Sequence, residues 1–287
     1  MKTKQTKYAL TGSTGYIGSN LLDKLSKDEN NFIYAIVRKG SVAKVIKPNI
    51  EYVVYDGTEQ SLEKPLCESD YLIHLGALYT ASNSENDAVN LINSNILFST
   101  QLFNVAGNLN PEIVIASAST FSSLDESGKY APATLYAATK RAVEDIAYFY
   151  EDLSIHFLTL PDTYGKNDWR PKIHNIVVKN KNWPFTFRSP EEQEMRLMHV
   201  SDVIGHLLSS LENTEKGVHI HDIFAEAPLL TLGELSKLIT DNICLFSENS
   251  EPTKIPERAR ANSTPTGFKT YYDKNHLTKT IRETLTK

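Results

Sequence analysis

A glycine-rich loop joins the first predicted strand of the chain to its first predicted helix. The strand pattern covers residues 8–10, the helix pattern covers residues 17–25, and Gly12, Gly15 and Gly18 lie at their junction. In this spacing the first glycine permits a tight turn, the second lets the backbone approach a phosphate group, and the third lets the helix pack closely on the sheet. Because a helix N-terminus attracts anions, the loop predicts a nucleotide-binding site.

Strand and helix patterns alternate through the first 165 residues. Further apolar segments of strand length are 32–37, 50–55, 71–75, 113–116 and 155–160, and long helical patterns cover 87–106 and 135–150. Continuous apolar strands separated by helices are typical of a parallel sheet that is covered on both faces. The expected fold class is therefore α/β, with a doubly wound parallel sheet of the Rossmann type and a smaller, irregular C-terminal part.

The pattern becomes irregular after residue 165, which suggests a second unit. We expect a dinucleotide-binding domain over residues 1–166, with residues 196–226 returning to it. Residues 167–195 and 227–287 are then expected to form the substrate domain.

Composition argues against several classes of partner. The net charge of -5 and the pI near 5.9 disfavour a nucleic-acid partner, and no apolar run reaches membrane-spanning length. The two cysteines form no metal or disulfide pattern, so a cytoplasmic setting is expected. His219 and His221 share one face of a predicted strand, but no third ligand is nearby in the sequence, and no metal site is expected.

Basic residues follow the second predicted strand. An acidic side chain at this point would hold a ribose 2′-hydroxyl, whereas Arg38 and Lys39 suit a 2′-phosphate. The sequence therefore favours NADP(H) over NAD, with ordinary exposed charges as the alternative reading. Asp56, after the third predicted strand, suits an adenine amino group or a simple turn.

Tyr136 and Lys140 lie four residues apart in a predicted helix and therefore share one helix face. A lysine there would stabilise the phenolate and lower the pKa of Tyr136, which would make a general acid/base. Chance alone can supply this spacing, so the interpretation depends on the glycine loop and on the hydroxyls of Ser117, Ser119 and Thr120, which follow the fifth predicted strand.

These features together resemble the extended short-chain dehydrogenase/reductase family, which contains nucleotide-sugar epimerases, dehydratases and 4-ketoreductases. The resemblance runs from residue 8 to about residue 240, and separate matches lie at residues 74–77, at Asn95, and at residues 162–165 and 195–202. Residues 135–140 and 162–172 resemble most the reductases of CDP-linked deoxysugar pathways.

The resemblance implies roles for individual residues. Tyr136 would exchange a proton with a sugar carbonyl, Lys140 would hold the nicotinamide ribose, and Ser119 would supply the neighbouring hydroxyl; another register places Ala118 there. The implied cofactor contacts are Gly12, Thr14, Gly15, Tyr16, Ile17, Gly18, Arg38, Lys39, Asp56, Gly57, Leu75, Gly76, Ala77, Asn95, Tyr136, Lys140, Pro161 and Thr163. The implied substrate contacts are Tyr79, Ser119, Thr120, Arg170, Lys172, Arg196 and Arg258.

Several of these substrate contacts have simpler alternatives. Arg196 suits a diphosphate, or a surface ion pair with Glu192 or Glu194. Arg170 and Lys172 suit a nucleotide sugar, or a solvated basic turn. Arg258 and Arg260 resemble the C-terminal arginines with which the family grips diphosphates; plain exposure to solvent is the alternative.

The function implied by the resemblance is NADPH-dependent reduction of the keto group of a CDP- or dTDP-linked 4-keto-deoxysugar. A nucleotide-sugar epimerase with bound NAD would use the same residues, and a non-catalytic NADP-binding sensor or scaffold is the alternative from another class. No Asp-Glu pair follows Ser119, which argues against dehydration. The resemblance also implies a homodimer formed through the helices at residues 87–106 and 135–150.

Overall fold

The computed structural model describes residues 5–42, 45–80, 85–260 and 262–286. The strands are β1 (Thr6–Thr11), β2 (Asn31–Arg38), β3 (Ile50–Tyr55), β4 (Tyr71–His74), β5 (Val114–Thr120), β6 (Ser154–Leu160), β7 (Asp162–Tyr164), β8 (Phe185–Thr186), β9 (Glu194–His199), β10 (Gly217–His221), β11 (Leu229–Thr231) and β12 (Cys244–Leu245). The helices are α1 (Tyr16–Leu25), α2 (Gln60–Cys67), α3 (Glu85–Leu91), α4 (Phe98–Leu109), α5 (Leu135–Ala147), α6 (Ile173–Lys179), α7 (Val200–Ser210), α8 (Leu232–Ile239) and α9 (Lys274–Thr286).

Seven of these strands form one sheet in the order β10-β6-β5-β4-β1-β2-β3, and each neighbouring pair is parallel. From β1 the chain builds one half of the sheet through β2 and β3, then crosses back to β4 on the other side of β1. This reversal opens a crevice at the carboxyl ends of β1 and β4, where doubly wound sheets bind ligands. The expected fold class is confirmed.

The apolar residues of the strands divide between two cores, one on each face of the sheet. In β1, Ala9 belongs to the core beneath α2, α4 and α5, and Leu10 belongs to the core beneath α1 and α7. Successive side chains of a strand point to opposite faces, so an uninterrupted apolar strand must be covered twice. The helices supply that cover, and α1 contributes Leu21, Leu22 and Leu25.

A π-helical segment, Ile92–Leu97, interrupts the long helix predicted over residues 87–106 and links α3 to α4. Such segments are frequent at functional sites because they redirect side chains out of the regular helical register. Here the segment contains the buried Asn95.

Residues 162–199, residues 229–246 and α9 build a smaller layer with its own apolar core. It contains the sheet β7-β9-β11, the pair β8-β12, and the packed helices α6, α8 and α9. Strand β10 returns to the main sheet beside β6. Among the described residues, no helix is both long enough and apolar enough to cross a bilayer.

Candidate active site

The glycine loop is packed so closely that side chains are excluded from two of its positions. Gly12 has φ of +73°, and a Cβ built there would lie 2.6 Å from the carbonyl carbon of Leu75 and 2.7 Å from the nitrogen of Gly76. A Cβ on Gly18 would lie 2.1 Å from the carbonyl oxygen of Gly12. Both positions therefore require glycine, the first for its backbone conformation as well as for space.

Buried hydrogen bonds hold this loop against the segment after β4. The hydroxyl of Thr11 accepts from the Gly76 N–H at 2.9 Å and donates to His74 Nδ1 at 2.7 Å. The opposite nitrogen, Nε2, donates to the hydroxyl of Ser99 at 2.8 Å, because Ser99 gives its own proton to the Asn95 carbonyl. Complete burial lowers the pKa of His74 to about 3, so the ring is neutral and serves as a fixed link between two hydroxyls.

A cavity of about 720 Å³ opens beside the glycine loop and suits a dinucleotide. Helix α1 begins at Tyr16 after an N-cap, Gly15, that makes no side-chain cap, and its first turn has no acidic residue. The N-terminal amides are therefore suited to a phosphate. Predicted cofactor contacts that line the cavity are Gly12, Thr14, Gly15, Tyr16, Arg38, Gly57, Leu75, Gly76 and Ala77.

Four predicted cofactor contacts lie outside the lining of both the cofactor cavity and the neighbouring cleft: Lys39, Asp56, Asn95 and Lys140. The carboxylate of Asp56 accepts from the N–H and the hydroxyl of Thr58, so it serves the turn. The amide of Asn95 bonds the backbone of Leu78 and the hydroxyl of Thr139, so it braces the segment after β4 against α5.

A second cavity of about 450 Å³ adjoins the first and contains the predicted catalytic tyrosine. Predicted site residues that line this cleft are Gly12, Gly15, Tyr16, Ile17, Gly18, Leu75, Tyr79, Ser119, Thr120, Tyr136, Pro161, Thr163, Arg170 and Lys172. The ring of Tyr79 meets the ring of Tyr136 edge to face, with centroids 5.0 Å apart. A ligand that spans the two cavities would pass between the glycine loop and Tyr136.

Helix α5 holds Tyr136 in its first turn and Lys140 one turn later. The hydroxyl of Thr134 caps this helix by accepting from the Ala137 N–H at 3.2 Å. Burial, reinforced by Tyr79, raises the pKa of Tyr136 to about 12. Burial also lowers the pKa of Lys140 to about 8, although Glu144 opposes that shift.

The expectation that Lys140 lowers the pKa of Tyr136 is therefore wrong, because desolvation of the phenol dominates. At neutral pH Tyr136 is a protonated donor.

Ser119 lines the cleft, but its hydroxyl donates to the carboxylate of Glu144 on α5. Glu144 is 2% exposed and also accepts from Arg141 and Arg260. The hydroxyl proton of Ser119 is thus directed to Glu144 on α5 and away from the cleft. The hydroxyls of Thr120 and Ser122, which also line the cleft, form a hydrogen bond with each other at 2.9 Å.

Arg170 and Lys172 both line the cleft and are held by carboxylates. Arg170 forms a two-pronged ion pair with Asp168, and Lys172 Nζ lies 2.6 Å from Asp162 Oδ1. The alternative of a solvated basic turn does not describe Arg170, whose side chain is only 25% exposed.

Arg196 and Arg258 lie outside both cavities. Arg196 donates to the carbonyls of Ala225 and Ala227 at 3.2 and 2.6 Å, and neither of its predicted acidic partners forms an ion pair with it. Arg258 is half-exposed, with Nε 3.7 Å from Asp222 Oδ2.

The described residues contain no group of three or more His, Cys, Asp or Glu that could hold a metal ion. His219 and His221 do have a histidine neighbour, His156 on β6, which the sequence spacing did not indicate.

Functional candidates that sequence reasoning missed are Glu144, Asp168 and Trp169. Glu144 had one available signal, since it follows Lys140 by four residues on the same helix face. Asp168 and Trp169 had none, because their roles come from contacts with Arg170 and Tyr16 that only the fold creates.

A model of the NAD dependent epimerase/dehydratase family matches residues 8–224. The chain is 31% identical over 206 residues to CDP-abequose synthase of Yersinia pseudotuberculosis, a match covering 69% of this chain and 71% of that protein. It is 24% identical over 233 residues to UDP-glucuronic acid decarboxylase 6 of Arabidopsis thaliana, covering 72% and 66%, respectively.

Solved structures share the fold at low identity. UDP-N-acetylglucosamine 4-epimerase from Methanobrevibacter ruminantium M1, in complex with UDP-N-acetylmuramic acid, superposes with a TM-score of 0.80 at 20% identity, covering 99% of this chain and 98% of that one. UDP-glucuronic acid 4-epimerase from Bacillus cereus, in complex with NAD, gives 0.75 at 16% identity, with 98% of each chain covered. With the family match, these findings confirm the resemblance seen in the motifs: the chain belongs to the NAD dependent epimerase/dehydratase family.

Proposed function

We propose that the chain is an NADPH-dependent ketoreductase that acts on a CDP- or dTDP-linked 4-keto-deoxysugar. The observation that carries the proposal is Tyr136, a half-buried phenol in a cleft that adjoins the predicted cofactor cavity; desolvation raises its pKa to about 12. A reductase needs a group that is already protonated and can give its proton to a carbonyl oxygen. An enzyme that begins by oxidising an alcohol needs the same residue as a base.

When bound, the nicotinamide cofactor supplies hydride to the carbonyl carbon. The proposed role of Tyr136 is to donate its Oη proton to the carbonyl oxygen as the alcohol forms, after which solvent restores the phenol. The proposed role of Lys140, which is buried on α5 one helical turn after Tyr136, is to stabilise the phenolate left behind while its ammonium is charged.

We retain Ser119 as the proposed hydroxyl partner of Tyr136, since both line the cleft. Because its proton is committed to Glu144, Ser119 would contact the substrate as an acceptor. The proposed donor to the substrate oxygen, beside Tyr136, is the neighbouring Thr120.

The proposed preference for NADPH rests on Arg38, which lies at the end of β2 and lines the cofactor cavity. Its guanidinium suits a 2′-phosphate. Lys39 does not line the cavity and makes a matched control. We expect Arg38→Ala to weaken NADPH binding about tenfold, and Lys39→Ala to change it less than about twofold.

The proposed substrate class follows from the 31% identity to a relative named CDP-abequose synthase and from the motif resemblance to CDP-linked deoxysugar reductases. The runner-up is a nucleotide-sugar 4-epimerase. It is favoured by the epimerases among the solved structures, whose likeness concerns the fold. A non-catalytic NADP-binding scaffold is disfavoured, because Tyr136 and Lys140 are both present.

We also propose a homodimer formed by α3, α4 and α5 with the π-helical segment. These elements and the turn after α5 expose large apolar side chains, at Val89, Ile92, Leu97, Tyr148 and Phe149. Sedimentation equilibrium tests the dimer.

The deciding experiment is a panel of CDP- and dTDP-linked 4-keto-deoxysugars with NADPH or NADH, followed by absorbance at the nicotinamide band. The reductase predicts one NADPH oxidised per sugar reduced. Equal or better turnover with NADH would contradict the cofactor assignment. Purification with tightly held NAD, together with epimerised sugars and no net oxidation, would instead establish the epimerase.

A further inference from the structure

Arg170 lies at the junction of the cofactor cavity and the cleft and lines both. Its Nε donates to Asp168 Oδ1 at 2.8 Å, and its Nη2 donates to Asp168 Oδ2 at 2.7 Å and to the Thr163 carbonyl at 2.6 Å. In the described parts of the chain, Nη1 has no hydrogen-bond partner. The guanidinium is thus fixed through one edge, and its remaining N–H donors stay available to a ligand.

The support beneath this arginine is buried. The side chain of Asp168 is fully buried, and His174 Nε2 lies 3.5 Å from its Oδ2. The segment leading into this pair is turned by Asn167, which has φ of +62°. A buried carboxylate that holds a partly exposed arginine in one orientation is an arrangement suited to recognition of an anion.

The guanidinium of Arg170 packs against the aromatic ring of Tyr16, at the start of α1. The guanidinium carbon of Arg170 is 4.2 Å from the centroid of this ring, and Trp169 contacts the same ring edge on. Tyr16 is the first residue of α1 and follows Gly15, so the guanidinium stands close to the N-terminus of α1. Lys172 is not equivalent, since it lines the cleft but not the cofactor cavity.

We propose that Arg170 binds a diphosphate at the end of α1, and that this diphosphate is the pyrophosphate of the dinucleotide cofactor. Arg170, assigned to the substrate from the sequence, thereby becomes a cofactor contact beside the glycine loop. The proposal rests on the proposed function in that it requires a dinucleotide in the larger cavity. The other source of a diphosphate, the nucleotide sugar, is distinguished by the experiment.

Binding to the full chain is measured without substrate, using three probes: NADPH, 2′-phospho-ADP-ribose, which keeps the pyrophosphate, and 2′-AMP, which lacks it. We expect Arg170→Met to weaken the first two about 10- to 100-fold and to change 2′-AMP binding less than about twofold. Arg170→Lys, which keeps the charge but loses the planar fork, should recover part of the affinity. Lys172→Met is the matched control and should keep NADPH affinity within about threefold of the parent.

Arg170→Met leaves the carboxylate of Asp168 buried without its partner, so a second variant carries Asp168→Asn together with Arg170→Met. For each of the two variants, an unchanged affinity for 2′-AMP shows that the variant is folded. Unchanged affinity of the folded variant for 2′-phospho-ADP-ribose would overturn the proposal, and a rise confined to the KM for the nucleotide sugar would assign Arg170 to the substrate. If the parent chain binds NADPH through Arg170 but reduces no keto sugar, the proposed function fails and the cofactor contact stands.

Discussion

The hydroxyl of Ser119 on β5 donates its proton to the buried carboxylate of Glu144 on α5. Glu144 follows Lys140 by one helical turn, and it also receives Arg260 from the irregular segment near the C-terminus. One carboxylate therefore joins the central sheet, the helix that carries Tyr136, and the C-terminal segment. Its burial raises its pKa, against the opposing effects of Ser119 and Arg141.

Removal of Arg260 should destabilise the fold because Glu144 would lose a partner inside the protein. We expect Arg260→Leu to lower the free energy of unfolding by about 3 kcal/mol, as for other broken buried ion pairs. Arg188→Leu is the matched control; this arginine is exposed, and its loss should cost less than about 0.5 kcal/mol. Urea unfolding of both variants measures the difference, and equal losses would contradict the structural role of Arg260.

Gly18 should not tolerate a methyl group, since its Cβ would lie 2.1 Å from the Gly12 carbonyl oxygen. We expect Gly18→Ala to displace the glycine loop and weaken NADPH binding by at least about 100-fold. Gly107→Ala is the control: this residue lies in α4, and its nearest neighbour would be 3.8 Å from the new Cβ. That change should keep binding and stabilise the chain by about 0.5–1 kcal/mol. Fluorescence titration with NADPH checks the loop, and comparable affinity in both variants would refute the packing argument.

Lys140 should limit activity at alkaline pH. Burial lowers its pKa to about 8, so the ammonium is charged below that pH and is lost as the pH rises through it. We therefore expect kcat/KM for reduction to fall about tenfold per pH unit above about pH 8. Lys140→Arg, whose guanidinium stays charged, should lack this alkaline limb even where its activity is reduced. A flat profile of the parent enzyme up to pH 9.5 would show that the charge of Lys140 is not required.

Much of the fold follows from local sequence pattern. The strand predicted over residues 50–55 matches β3, and the helix predicted from Leu135 does begin there. Local pattern succeeded because the strands of the main sheet are apolar and the helices have one apolar stripe. Even β3, an edge strand whose residues are at most half-buried, keeps this apolar pattern. It failed for α2, whose Pro65 and short length hide the periodicity, and for α9, which is strongly polar.

The site was predictable where the residue type is dictated by the local conformation or packing of the loop. Gly12 and Gly18 belong to this class, and the structure places both in the lining of the cavities. It was not predictable where a contact joins distant segments, as with Arg260 and Glu144, which are 116 residues apart. The pKa of Tyr136 was misjudged for the same reason: desolvation depends on surroundings that residue spacing does not reveal.

His74 should make the protein less stable in acid. Its pKa is about 6.5 when unfolded and about 3 when folded, so the stabilisation is fully present above pH 6.5 and is lost as the pH falls toward 3. Acidification from pH 7.5 to pH 5.5 should therefore lower the free energy of unfolding by about 1.4 kcal/mol through His74 alone. Urea unfolding of the parent and of His74→Gln at the two pH values gives the contribution. If the two chains lose the same free energy on acidification, His74 is not buried as a neutral ring.

Substitution of Tyr136 by phenylalanine tests the central claim most directly. Oxidation of NADPH by a 4-keto nucleotide sugar is followed in the parent and in Tyr136→Phe, and NADPH affinity is measured in both. We expect turnover to fall by about 100- to 10,000-fold while the dissociation constant of NADPH stays within about twofold, because only the proton donor is lost. Unchanged turnover in Tyr136→Phe would contradict the account.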